Sequence, residues 1–190
     1  SGVSVSYVAG DGRSLPFPEA AFSVALAVLT LQHLADPIRV LTEMRRVTRP
    51  GGIVVAVEPD NLGQRLYFPF LTPDVDSALA AYWRRIQEAC RPADIAIGPR
   101  LLDLFRAVKL PSPRVKVHTL ANASWTEPRV FAERSRAAFE RIARKHGLDR
   151  SAECEALLGA IDRATARGHP AFYTISTVPV FVVTAYVSAA

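Results

Sequence analysis

Cysteine is scarce: Cys90 and Cys154 are the only two in 190 residues, far apart and with no second Cys or His at ligand spacing. That excludes a disulfide framework and a zinc site, and it fits a reducing, cytoplasmic setting. Long apolar runs are missing too. The two longest, Ala20–Leu31 and Val178–Val187, span 12 and 10 residues, against the roughly 20 that a membrane-spanning helix needs; no membrane partner is expected. Lysine is nearly absent, 3 residues beside 20 arginines, and the formal net charge is +5. Acidic residues interleave with the arginines, however, and no basic run exceeds two, so the stripe of cations that marks a nucleic-acid binder is not encoded. The chain opens on Ser1-Gly2-Val3 with no basic segment leading into an apolar one, which is not a secretion signal.

What is present suits a packed globular core: 49% hydrophobic and 22% charged residues, with 14 Pro and 10 Gly spread along the chain. The length suits a single domain over 1–190. Val3 to Val8 is short and β-branched and predicts a strand ending at the turn Ala9-Gly10-Asp11-Gly12. Ala21 to Leu31 is apolar without alternation, the pattern of a strand buried on both faces of a parallel sheet. Asp36-Pro37 predicts an N-cap and first turn of a helix with Ile38, Leu41, Met44 and Val47 on its buried stripe, stopping at Arg49-Pro50-Gly51-Gly52 before a buried strand from Ile53 to Val57. Helical spacing recurs over 73–90, Pro99–Val108, Glu127–Lys145 and Ser151–Arg167, with strands predicted at Arg114–Leu120 and Ala171–Val187. In an α/β domain of this kind, ligand is expected at the carboxyl ends of the strands, where Asp11 and Thr30 to His33 would face one crevice.

The run Val8-Ala-Gly-Asp-Gly-Arg-Ser-Leu-Pro-Phe-Pro-Glu-Ala-Ala-Phe, then Leu31-Gln-His-Leu-Ala-Asp-Pro, then Glu43-Met-Arg-Arg-Val-Thr-Arg-Pro-Gly-Gly resembles the class I S-adenosylmethionine-dependent methyltransferases of the small-molecule type. The pieces are ordered and correctly spaced from Val3 to Glu58, and Ile97-Gly-Pro-Arg-Leu-Leu-Asp-Leu-Phe resembles a later helix of that family. The resemblance implies a Rossmann-like α/β sheet, mostly parallel with its last strand antiparallel, carrying helical insertions over 62–95 and 127–167 that shape the acceptor pocket. It implies S-adenosylmethionine as cofactor. Asp11 matches the acidic residue that accepts a hydrogen bond from the adenine amino group, work suited to an acceptor-only carboxylate, and Gly12 matches the position whose backbone amide meets the ring edge. Leu15, Pro16 and Phe17 match the apolar wall beside it. Ala27 and Val28 match the strand-end residues along the methionine part, and His33 matches the histidine at the mouth of the site.

Two departures carry weight. The family's Gly-rich loop and the acidic residue about 20 positions after it are absent before Asp11, and Ser23 stands where the family usually has Asp. In the family's strand order, which resembles 3-2-1-4-5-7-6, two strands would separate the one predicted at Val3 from the one at Ala21. The N-terminal strands are therefore missing, and three explanations stand: the chain is the later part of a longer protein, which is the favoured expectation, the strands come from another chain, or the two predicted strands pair directly in a degenerate sheet.

The resemblance implies methyl transfer to a small-molecule acceptor, with no catalytic residue assigned. If the acceptor is a hydroxyl, His33, His118 and His169 are the candidate bases by their ordinary pKa range. The rival reading is a noncatalytic methyltransferase-like scaffold or dimerisation module, and apolar surface left open by missing strands predicts self-association. A nucleic-acid methyltransferase is disfavoured because Ala27-Val28-Leu29-Thr30 stands where such amino-directed enzymes carry a polar, proline-containing tetrapeptide.

Overall fold

The computed structural model describes residues 4–67, 72–166 and 172–188. Its framework is one mixed sheet. Strand β1 (Phe22–Val28) leads through α1 (Pro37–Val47) to β2 (Thr48–Pro59), and the short β3 (Arg65–Tyr67) precedes α2 (Pro73–Cys90) and α3 (Leu101–Ala107). Then come β4 (Arg114–Thr126), α4 (Pro128–Lys145), α5 (Ala152–Thr165) and β5 (Phe172–Tyr186).

β1 and β2 run parallel, with Ala25 beside Val54 and Ala27 beside Ala56. β5 is antiparallel to β2, to β3 further along the same edge, and to β4 on its other edge. The order β1-β2-β5-β4 therefore corresponds to the 4-5-7-6 end of the expected arrangement, with the last strand antiparallel as expected. Parallel pairing is narrower than expected: among the described strands it is confined to β1 and β2, because β5 runs against every strand it pairs with.

Local chemistry sets the elements. Asp36 caps α1 by accepting from the Arg39 amide at 3.1 Å, with Pro37 in the first turn. The buried stripe of α1 is Val40, Leu41, Met44 and Val47. Ile38, expected there, is instead 44% exposed: nine residues are about two and a half turns of helix, so Ile38 and Val47 point to opposite sides. This stripe packs with Leu101, Leu104 and Phe105 of α3 on the sheet face formed by Ala27, Val54, Ala56, Val183 and Ala185. Gly52 is needed where β2 passes β1, since a Cβ there would stand 2.7 Å from the Ser23 carbonyl oxygen.

A second core is built by α2, α4 and α5. Val75, Leu79, Tyr82, Trp83 and Ile86 of α2 meet Leu157, Leu158 and Ile161 of α5 and Phe139 of α4. The Tyr82 hydroxyl donates to the Phe139 carbonyl at 2.8 Å, tying α2 to α4.

Two expectations fail. Ser4 to Gly10 form no strand and lie exposed; Val3 is outside the described residues. A strand there has no neighbour to take its backbone hydrogen bonds. Nor is β1 buried on both faces: Val24, Leu26 and Val28 are 53%, 60% and 48% exposed. Among the described residues β1 pairs on one edge only, and the helices α1 and α3 cover just the face bearing Ala25 and Ala27.

Candidate functional site

The turn at residues 11–17 is held by charge. Asp11 accepts the Arg13 amide at 2.9 Å and the Arg13 guanidinium at 2.7 and 3.1 Å, and the Ser14 amide closes onto the Asp11 carbonyl at 2.9 Å. Arg13 pulls the Asp11 carboxyl down to about 2, so it is an ionised acceptor that remains half-exposed beside its partner. Gly12 lies against α1, where a Cβ would stand 3.5 Å from Val40.

Further along, α1 grips the turn through a pair to which the sequence assigned no role. Glu43 accepts the Leu15 amide at 2.9 Å and binds Arg46 at 2.7 Å, and Arg46 donates to the carbonyls of Leu15 and Phe17 at 3.1 and 2.9 Å. Arg46 holds the Glu43 carboxyl down at about 2. The two residues stand on one helix face at i and i+3, a spacing legible in sequence, but their target 28 residues upstream is not.

Between turn and strand runs an apolar groove of about 310 Å³ lined by Leu15, Phe17, Ala27, Thr30, Val40 and Met44. The structure thus brings Ala27 together with the wall that follows Asp11 and Gly12. Val28, the next residue, turns to the open sheet face instead, as the alternation of a strand requires.

At the carboxyl end of β1, Leu31–His33 forms a single 3-10 turn with His33 exposed and Leu31 and Gln32 buried. Its first amides are held by Glu58, at the end of β2: one carboxyl oxygen accepts from Thr30 at 2.9 Å and Leu31 at 2.7 Å. Glu58 is fully buried and its other oxygen, Oε2, has no partner among the described residues. Burial raises its pKa, against the lowering effect of the backbone amides and of nearby His33. Gln32 in turn accepts from the Asn61 side chain at 3.2 Å, and Asn61 donates to the Ile95 carbonyl at 2.6 Å. Of the other histidines, His118 sits on β4 opposite Val180, three strand positions and about 14 Å from β1. His169 lies outside the described residues.

An exposed carboxylate that accepts without donating, a glycine backbone beside it and an apolar groove leading to a strand end suit an adenine nucleoside with an extended apolar and sulfonium arm. Residues 1–56 match the family described as Methyltransferase domain. Demethylmenaquinone methyltransferase of Geobacillus stearothermophilus is 32% identical over 131 residues, 64% of this chain and 55% of that protein. Its counterpart in Anoxybacillus flavithermus is 32% identical over 130 residues, 63% of this chain and 54% of that protein. The chain spans about half the length of the curated relatives it matches. In fold, a provisionally named type II methyltransferase from Anaeromyxobacter dehalogenans superposes with a TM-score of 0.53 at 19% identity, covering 97% of this chain and 73% of that one. Residues 1–56 thus match the Methyltransferase domain family, and the chain has the fold of a solved methyltransferase.

Proposed function

We propose that the protein transfers a methyl group from S-adenosylmethionine to a small-molecule acceptor. The observation that carries this is the groove that runs from Leu15 and Phe17, just after the Asp11 turn, to Ala27 and Thr30 at the end of β1. Asp11 and Gly12 would hold the adenine, Leu15 and Phe17 its face, and Ala27 with the Val28 backbone the methionine arm. When bound, the cofactor supplies a methyl carbon activated by its sulfonium. The chain's own work is alignment and exclusion of water. Glu58 does this at one remove, since its hold on the Thr30 and Leu31 amides sets where the His33 turn stands. For a hydroxyl acceptor, His33, in the turn after β1, is the candidate base in this reading.

We place the acceptor between the two helical insertions. Gln32 at the mouth is bonded to Asn61, and one 3-10 turn, about 6 Å of rise, leads from Asn61 to Gln64 at the rim of a cavity between those insertions.

Calorimetric titration with S-adenosylhomocysteine tests the reading. Micromolar binding, weakened about tenfold or more by Asp11→Ala through loss of a charge-assisted hydrogen bond, is the expected result. Absence of binding overturns it and favours the noncatalytic association module, for which the open face of β1 at Val24, Leu26 and Val28 speaks.

A further inference from the structure

The cavity between the insertions is about 450 Å³ in volume, within the size range of small-molecule sites. One side is apolar: Leu66 of β3, Ile175 of β5 and the rings of Phe131 and Phe139 on α4. One lining group lacks a partner, and one exposed cation stands beside it. The Oε1 atom of Gln64 is buried with no hydrogen-bond partner among the described residues, an arrangement that is unfavourable unless a donor arrives. Arg134 lines the cavity as an exposed side chain with no ion pair among the described residues, whereas Arg136, two positions on, is paired with both Glu140 and Asp162. The hydroxyls of Ser124 and Thr174 lie 3.2 Å apart and satisfy each other.

From this lining we infer that the cavity takes a flat aromatic acid carrying a hydroxyl: rings against Phe131 and Phe139, carboxylate on Arg134, hydroxyl donating to Gln64. The inference rests on the methyltransferase reading, because it names the acceptor class for that site. Each complement follows from a different residue. An exposed guanidinium in the lining offers an oxyanion a charge-assisted bond, a buried acceptor without a partner selects an O–H or N–H donor, and aromatic walls select a ring.

Three probes separate the contributions: hydroxynaphthoate, its neutral amide, and naphthoate without the hydroxyl, each titrated by naphthyl fluorescence with and without S-adenosylhomocysteine. Hydroxynaphthoate is expected to bind about tenfold more tightly than either of the others, the worth of one charge-assisted or one buried hydrogen bond. Arg134→Gln should abolish the preference for carboxylate over amide and leave the hydroxyl preference intact. Gln64→Leu should do the reverse. Arg141→Gln, on the same helix but in a different surface depression, should change neither. Equal affinity for all three probes overturns the inference, as does a carboxylate preference lost equally in the Arg141 variant, which would mark a diffuse field of α4. Binding of S-adenosylhomocysteine with no discrimination among the probes leaves methyl transfer standing and removes the acceptor class. Discrimination without S-adenosylhomocysteine binding keeps the ligand class and removes methyl transfer.

Discussion

Glu58 shows how one side chain can govern a site it does not line. Its buried carboxyl has a raised pKa, so the protonated form is favoured in the fold, and the stability this contributes is full below the ordinary glutamate range and lost as pH rises through the raised value. Glu58→Gln keeps an oxygen for the Thr30 and Leu31 amides and removes the charge. Its melting temperature is expected to match the parent in acid and exceed it increasingly toward alkaline pH, as thermal melts across that range will show. Glu58→Ala leaves the buried Leu31 amide and the part-buried Thr30 amide without an acceptor and is expected to cost about 2–3 kcal/mol in denaturant unfolding. Asp11 has the opposite sign. Its pKa is lowered to about 2, so the contribution of the Arg13 contact is present above the ordinary aspartate range and lost only as pH falls toward that value. Binding of S-adenosylhomocysteine is therefore expected to be flat in pH with respect to this group from neutrality down to the ordinary aspartate range.

Elements are joined at points of close approach. Gly98, in the turn before α3, packs under the end of β2: a Cβ there would lie 2.6 Å from the Phe181 ring and 2.9 and 3.0 Å from the carbonyl oxygens of Pro59 and Glu58. Backbone on two sides cannot yield as a side chain would, so Gly98→Ala is expected to destabilise by about 2 kcal/mol or more. It should also weaken S-adenosylhomocysteine binding by displacing Glu58, and calorimetry on the same variant reads that. The cap of α1 is a milder case. Asp36→Ala removes one hydrogen bond to an exposed helix end and should cost about 1 kcal/mol in denaturant unfolding.

Taken whole, the molecule has a sheet with one covered face and one open. On the open side Val24, Leu26 and Val28 are exposed and Ile53, Val55 and Val57 half-buried in register beside them, a contiguous apolar patch on a strand whose outer edge is unpaired among the described residues. Such surfaces associate. The 190-residue chain is expected to sediment as a dimer or larger at micromolar concentration, and Leu26→Lys to shift it toward monomer. A monodisperse parent monomer would remove this expectation. The groove beside Ala27 opens at the same edge, so association and cofactor affinity should change together in that variant.

Much of the molecule was legible in the chain. α2, α4, α5 and β5 follow their expected bounds within a residue or two because long amphipathic or β-branched runs leave a single way to bury the apolar side. The Asp11 turn was legible because its geometry is made within four residues. Tertiary structure alone decided the rest. β3 is three residues long and exists only because β5 extends past β2 and offers an edge. The strand expected before Asp11 does not form, and β1 lies half-open, because burial belongs to neighbours and not to the apolar run itself. Glu58 in an apolar strand gave no sign of its partners, since the amides it holds lie 27 and 28 residues upstream. A sequence shows the periodicity with which a segment can bury a face. What comes to lie against that face, and so which carboxyl is desolvated or which guanidinium is left unpaired, depends on contacts between distant segments that only the folded chain makes.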